Sequence, residues 1–315
     1  EFVDEIRQKL KVEMHGTFSS FKSVFAYLMD VSSQQHFTLV IDEFQEFYNI
    51  NRSIYSDMQH LWDMHKDQSK INLVLCGSLY AMMKRIFEDS KEPLFGRATQ
   101  RIQLKAFPVN TLKQILNERQ PNYTAQDLLA LYAFTGGIPK YIELLAQNSD
   151  LTYESMLDAI FTENALFLDE GKNVLIDEFG RDYGNYFSIL SLIASSKNSR
   201  PEIESILEKQ TGGYLERLER DYNIIRKMKP VFAKPNSRTV KYYIQDGFLN
   251  FWFRFIYKNR SAIEIGNFDY VKEGVKKDFP VFSGKVLEKY FIERLSAEKK
   301  YSLIGTYWEK KNHNE

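Results

Sequence analysis

The run Phe37–Phe47, FTLVIDEFQEF, constrains this chain more than any other segment. Its opening residues, Phe37 to Ile41, are apolar or β-branched, as suits a strand buried on both faces of a parallel sheet. The run then ends in adjacent carboxylates, Asp42 and Glu43, and turns polar. Such sheets place ligands just beyond the carboxyl ends of their strands. At that edge one carboxylate can hold the magnesium of a bound nucleotide while the next orients and deprotonates a water. A buried strand that merely stops at an acidic turn is the alternative reading of the same residues.

The rest of the first third supports a sheet. Phe2, Ile6 and Leu10, then Phe21, Val24, Phe25 and Leu28, recur at helical spacing, as do Ile54, Met58, Leu61 and Trp62. Ile71–Cys76 is a second apolar strand closing on Gly77 and Ser78, and helix alternating with strand demands parallel pairing. A helix is expected over Leu79–Phe87, a loop over Glu92–Gly96, and a further strand over Thr99–Phe107.

After Pro108 the pattern becomes helical: Thr111–Glu118, Thr124–Phe134, Pro139–Ala146 and Tyr153–Leu168. Thr124 with Asp127 makes a capping start, Pro139 suits a first helical position, and Gly136-Gly137 favours positive backbone torsions between two helices. Tyr186–Ser195, Pro201–Lys209 and Gly213–Tyr222 then read as three helices. Two strands follow, Asn223–Phe232 and Thr239–Ile244, around Pro235-Asn236-Ser237. Three helices and a hairpin make a winged helix-turn-helix. Beyond Gly247 come an aromatic segment, a charged helical run over Gly284–Glu298 and a strand-like start at Tyr301–Trp308.

Composition narrows the class. At 43% hydrophobic and 27% charged, the 315 residues are those of a globular protein with two or three domains. Lys plus Arg balances Asp plus Glu at 42 each, so a nucleic-acid surface must come from local clustering. The single cysteine, Cys76, rules out a disulfide framework and fits a reducing cytosol, so a cytoplasmic location is expected. Phe248–Tyr257, broken by Asn250 and Arg254, is too short to span a bilayer, and no membrane partner is expected. His60 and His65 have no cysteine partners that would make a metal cluster.

In this order the pieces resemble AAA+ ATPases, and most closely the archaeal-type ATPase family, through VIDEFQEF, LCGS, PLFGR, TGGIPKY, DGFLNFWFRF and LIGTYWEKK. The resemblance implies a P-loop NTPase-type α/β core over 1–107, a helical lid over 108–178, a winged helix-turn-helix over 179–246, and a linker with the start of a nuclease-like domain over 247–315. It implies ATP and Mg2+ as ligands. On this chain Asp42 resembles the Walker B magnesium ligand and Glu43 the water-orienting base. Ser78 resembles the sensor 1 group, although a serine cap on the next helix accounts for it too. Arg97 is similar in place to an arginine finger acting on a neighbouring subunit, which implies a homo-oligomer; a surface salt bridge is the other reading. Gly137 and Pro139 resemble the lid element against the nucleotide base, with Lys140 reaching a phosphate. Glu288 resembles the first carboxylate of a restriction-endonuclease-like metal site, or is an exposed helix glutamate; nuclease activity is not expected of these residues alone.

One element of the family is missing from the string. No GxxxxGK[ST] phosphate cradle occurs; Gly171-Lys172-Asn173 and Gly284-Lys285-Val286 lack the hydroxyl. The chain is therefore expected to start after its own cradle, with a degenerate core as the alternative. From Gly212 to Tyr243 eight basic residues face three acidic ones. Arg226, Lys227, Lys229, Lys234 and Arg238 on the wing are the candidate DNA surface, because Glu216 and Glu219 share the third helix with Arg217 and Arg220. Three functions follow: an ATP-hydrolysing switch driving a DNA-associated nuclease-like domain, a nucleotide-regulated DNA-binding protein without turnover, or an interaction module with a dead nucleotide site.

Overall fold

Helices α1 (Phe2–Leu10) and α2 (Phe21–Gln34) lead into strand β1 (Phe37–Ile41). Helices α3 (Phe47–Ile50) and α4 (Ser53–His65) cross over to β2 (Ile71–Leu75), and α5 (Tyr80–Glu88) follows. A crossover rather than a hairpin permits parallel pairing, and β1 and β2 pair in parallel from Phe37 with Ile71 to Ile41 with Leu75. The computed structural model describes residues 2–13, 18–234, 237 and 239–308. These divide into two compact units, 1–102 and 103–315.

In the first unit Leu39, Ile41, Ile71, Leu73 and Leu75 pack onto a core of Phe25, Met29, Phe44, Tyr55, Met58 and Ile86. The opposite face carries Val40 at 57% and Val74 at 38% exposure. Among the described residues the sheet is thus covered on one face, not on two as the apolar run predicts, because no helix lies over Val40 and Val74. Thr99–Phe107 forms no strand either. Its alternation leaves Ile102 at 76% and Leu104 at 91% exposure. An extended segment becomes a strand only when a neighbour pairs with it along its length, and among the described residues only the Phe107 N–H is taken, by the Gly137 carbonyl at 2.7 Å.

The second unit is helical apart from one hairpin. Helices α6 (Val109–Arg119), α7 (Ala125–Thr135) and α8 (Pro139–Asn148) lie where their periodicity puts them. The expected helix over Tyr153–Leu168 is two, α9 (Tyr153–Ile160) and α10 (Leu166–Phe179). They are separated by a break in which Asn164 takes a left-handed φ of 60°, a conformation asparagine tolerates better than most residues. Next come α11 (Tyr183–Ala194), α12 (Arg200–Leu207), α13 (Gly212–Arg220) and the antiparallel pair β3 (Ile225–Met228) and β4 (Lys241–Ile244).

The aromatic segment supplies α14 (Gly247–Phe251) and a π-helical turn (Trp252–Ile256). Phe248, Phe251 and Phe253 on it are fully buried. Helix α15 (Arg260–Glu264) leads to the 30-residue α16 (Phe268–Ala297). Tyr301–Trp308 forms no strand, although the Thr306 carbonyl accepts the Val231 N–H at 2.9 Å. Phe134 of α7 packs against Phe251, tilted, and Phe279, edge-on, at ring separations of 4.8 and 5.6 Å, so α6–α10, the hairpin segment and α14–α16 share one core. Arg238, part of the Pro235–Ser237 turn and residues 309–315 lie outside the described residues.

Candidate active site

At the carboxyl edge of the sheet the two strand exits are laced together. The Cys76 N–H donates to the Ile41 carbonyl at 2.9 Å, and the Phe44 N–H donates to the Cys76 carbonyl at 2.8 Å. Asp42 and Glu43 occupy the exit of β1; Asp42 Oδ1 accepts the Glu43 N–H at 2.9 Å. Glu43 has a left-handed backbone, φ 48° and ψ 42°, which costs a non-glycine residue roughly 1–2 kcal/mol. That conformation accompanies a side chain directed at the exit of β2. There the Ser78 hydroxyl donates to Glu43 Oε2 at 2.7 Å, and the Gln45 amide Nε2 donates to the same oxygen. The Gln45 bond first, and the Ser78 bond second, hold the Glu43 carboxyl below the usual range.

Gln45 is the residue that sequence reasoning missed. It is 2% exposed, and its Oε1 has no hydrogen-bond partner among the described residues. Its seat exists because position 77 is glycine: a Cβ there would lie 2.2 Å from Gln45 Oε1 and 2.5 Å from Met83 Sδ. Beneath it the buried Tyr55 hydroxyl lies 3.2 Å from the Phe44 carbonyl and 3.3 Å from the Gln45 carbonyl. Burial pushes that hydroxyl up to about 12. The only sequence signal was an amide two residues after Glu43 in an otherwise apolar and acidic run.

Arg97 is fully engaged within its own unit. Nε and Nη2 donate to Asp63 at 3.0 and 2.6 Å, and Nη1 donates to the Pro93 and Phe95 carbonyls at 2.8 and 3.1 Å. The Arg97 bond in turn holds the Asp63 carboxyl low. The loop before it is anchored by buried Glu92, which accepts from Arg52 at 3.0 Å and Arg85 at 2.8 Å. Both guanidinium groups also lie over the Tyr48 ring.

Gly137, Pro139 and Lys140 belong to the second unit. Gly136 and Gly137 have φ of 63° and 81°, and the Phe107 N–H donates to the Gly137 carbonyl at 2.7 Å. A Cβ on Gly136 would lie 2.7 Å from the Phe248 nitrogen. Pro139 is the first residue of α8, and Lys140 Nζ pairs with Glu170 Oε1 at 2.6 Å.

On the hairpin Arg226, Lys227, Lys229 and Lys234 are exposed. On α13 Arg220 pairs with Glu216 at 2.7 Å, and Lys241 of β4 lies over the Trp308 ring. Glu288 is exposed on α16. Among the described residues no group of three or more His, Cys, Asp or Glu side chains could hold a metal by itself, and no helix is long and apolar enough to cross a membrane. One carboxylate at a strand exit nevertheless suits magnesium that arrives with a nucleotide, since the ion takes most of its ligands from phosphates and water.

The chain thus combines a small parallel sheet, with carboxylates at its exit, and a largely helical remainder. The chain shares that fold with a solved structure, the Walker-type ATPase of Pyrococcus abyssi, at a TM-score of 0.57 and 18% identity, covering 80% of this chain and 75% of that one. Residues 2–145 match the family described as an ATPase domain predominantly from Archaea, and residues 252–315 match a family of archaeal and bacterial proteins of unknown function. The first part of the chain is thus similar to an ATPase domain of the archaeal type. Similar proteins include two uncharacterized proteins of Methanocaldococcus jannaschii. One is 30% identical over 280 residues, which is 86% of this chain and 61% of that protein. The other is 34% identical over 66 residues, 21% of this chain and 64% of that protein. The chain thus spans less than two thirds of either relative.

Proposed function

We propose that the chain belongs to an AAA+ type ATPase, a nucleotide-driven switch of the cytoplasm that hydrolyses ATP and moves a DNA-associated, nuclease-like C-terminal region. The observation that carries this reading is the convergence of Glu43 and Ser78 at the carboxyl edge of the parallel strands, 2.7 Å apart. Magnesium, which would arrive with ATP, would supply charge neutralisation at the phosphates. Asp42 is assigned to that ion, directly or through water. Glu43 orients the attacking water and accepts its proton as the bond to the ADP oxygen breaks; Ser78 positions the same water. In this reading 108–178 is the lid, with Gly137 and Pro139 against the base and Lys140 near a phosphate once it leaves Glu170. Residues 179–246 form the winged helix. Arg97 serves a neighbouring subunit in a homo-oligomer once it leaves Asp63.

The test is Glu43→Gln in the intact natural protein. The amide keeps the shape and loses the proton acceptor, so turnover should fall by about 100-fold or more while ATP stays bound. Unimpaired turnover would sink the assignment.

A second reading is favoured by the exposed basic hairpin: DNA binding regulated by nucleotide without turnover. Lys227→Glu with Lys229→Glu should then weaken DNA binding and flatten its salt dependence, and indifference to both changes would count against it.

A further inference from the structure

We propose that Gln45 is the positioning residue of this site: its buried amide, seated against Gly77, holds one oxygen of Glu43 together with Ser78 and leaves the other oxygen to meet water. This rests on the reading of Glu43 as the water-orienting carboxylate.

The argument begins with cost. A side chain 2% exposed whose carbonyl oxygen has no hydrogen-bond partner among the described residues is a poor way to fill a core. A methionine or leucine would fill the same space without an orphaned acceptor. Gln45 supplies what neither could, an N–H aimed at Glu43 Oε2. The seat itself is restrictive, because any side chain at position 77 would collide with Gln45 Oε1 and with Met83. Residue types at positions 43, 45, 77 and 78 are therefore mutually dependent.

The geometry also specifies the task. Both donors converge on Oε2, Ser78 from the exit of β2 and Gln45 from the turn after β1. Gln45 Nε2 also lies 3.4 Å from Ser78 Oγ, closing a triangle of three side chains. With one oxygen so fixed, rotation about the carboxylate's last bond is restrained and the second oxygen keeps a defined direction. An exposed glutamate otherwise samples several rotamers, and pre-orientation of a catalytic group is where much of its effect lies. The left-handed backbone of Glu43 belongs to the same arrangement.

The experiment uses the intact natural protein with two variants that reach the amide from opposite sides. Gln45→Met removes the donor at similar length, and Gly77→Ala keeps every donor but displaces the amide; a variant that fails to fold is read from the other. Each should lower kcat by about ten- to a hundredfold, the usual loss when a supporting partner of a catalytic group is removed. Binding of a fluorescent ATP analogue should stay within about threefold, because uniform binding is not touched. In a Glu43→Gln background Gln45→Met should add nothing. Full kcat in both variants, with Glu43→Gln still inactive, would overturn the role of Gln45 alone. A parallel loss of analogue binding would reduce it to packing. Full turnover in Glu43→Gln would remove the reading of Glu43 and this proposal with it.

Discussion

Asp127 ties the start of α7 to the start of α9, and its removal has a cost that can be worked from the structure. Its Oδ2 accepts the Thr124 N–H at 2.8 Å and the Thr124 hydroxyl at 2.7 Å, while Oδ1 accepts the buried Tyr153 N–H at 2.6 Å. In Asp127→Ala the exposed Thr124 amide turns to water, so that end loses only the cap, about 1 kcal/mol. The Tyr153 amide has no such escape, and a buried orphan donor costs about 1–3 kcal/mol. The sum is about 2–4 kcal/mol, or a Tm lower by about 5–15 °C for a unit of this size. Burial alone would push the Asp127 carboxyl up, but the bonds from Thr124 and Tyr153 outweigh it and hold it below the usual range. A lowered folded value means that the carboxylate's stabilisation is complete above the unfolded value of about 4 and is lost as pH falls below it through the lower folded value. Urea denaturation of wild type and variant at pH 7 and pH 3 checks both parts. A loss under about 1 kcal/mol at pH 7, or a gap that widens in acid, would refute the reasoning.

Other outcomes follow from particular contacts. Gly247→Ala would bring a Cβ to 2.7 Å from the Gly136 Cα, backbone against backbone, and should destabilise by about 1–3 kcal/mol. Gly266→Ala, at φ 71° with open space around it, should cost only about 1 kcal/mol; equal thermal shifts would deny the close packing. Asp63→Asn should change stability by less than about 1 kcal/mol, since that pair is partly exposed. If Arg97 serves a neighbour, the freed guanidinium should raise ATP turnover in a concentration-dependent way and Arg97→Ala should abolish the gain. Turnover indifferent to both changes would remove Arg97 from the site.

What the sequence by itself determined is local. Phe37–Ile41 and Ile71–Leu75 were readable as strands because apolar β-branched runs stop where polarity changes, and parallel pairing followed because the intervening residues carry helical spacing. The placement of Asp42, Glu43 and Ser78 at one edge was legible for the same reason: strand ends are marked in one dimension, and parallel register brings two such ends together. The Thr124–Asp127 cap, Pro139 at a helix start and the positive torsions of Gly136-Gly137 are likewise short-range chemistry. Tertiary structure alone decided which polar groups met. The burial of Gln45 against Gly77, the engagement of Arg97 by Asp63 and of Lys140 by Glu170 join residues whose spacing carries no periodic signal. It also decided that Thr99–Phe107, despite its alternation, forms no strand, since a strand is a property of two segments and not of one. Side-chain identity sets what each group can donate or accept; only the packed chain sets which partner is within 3 Å.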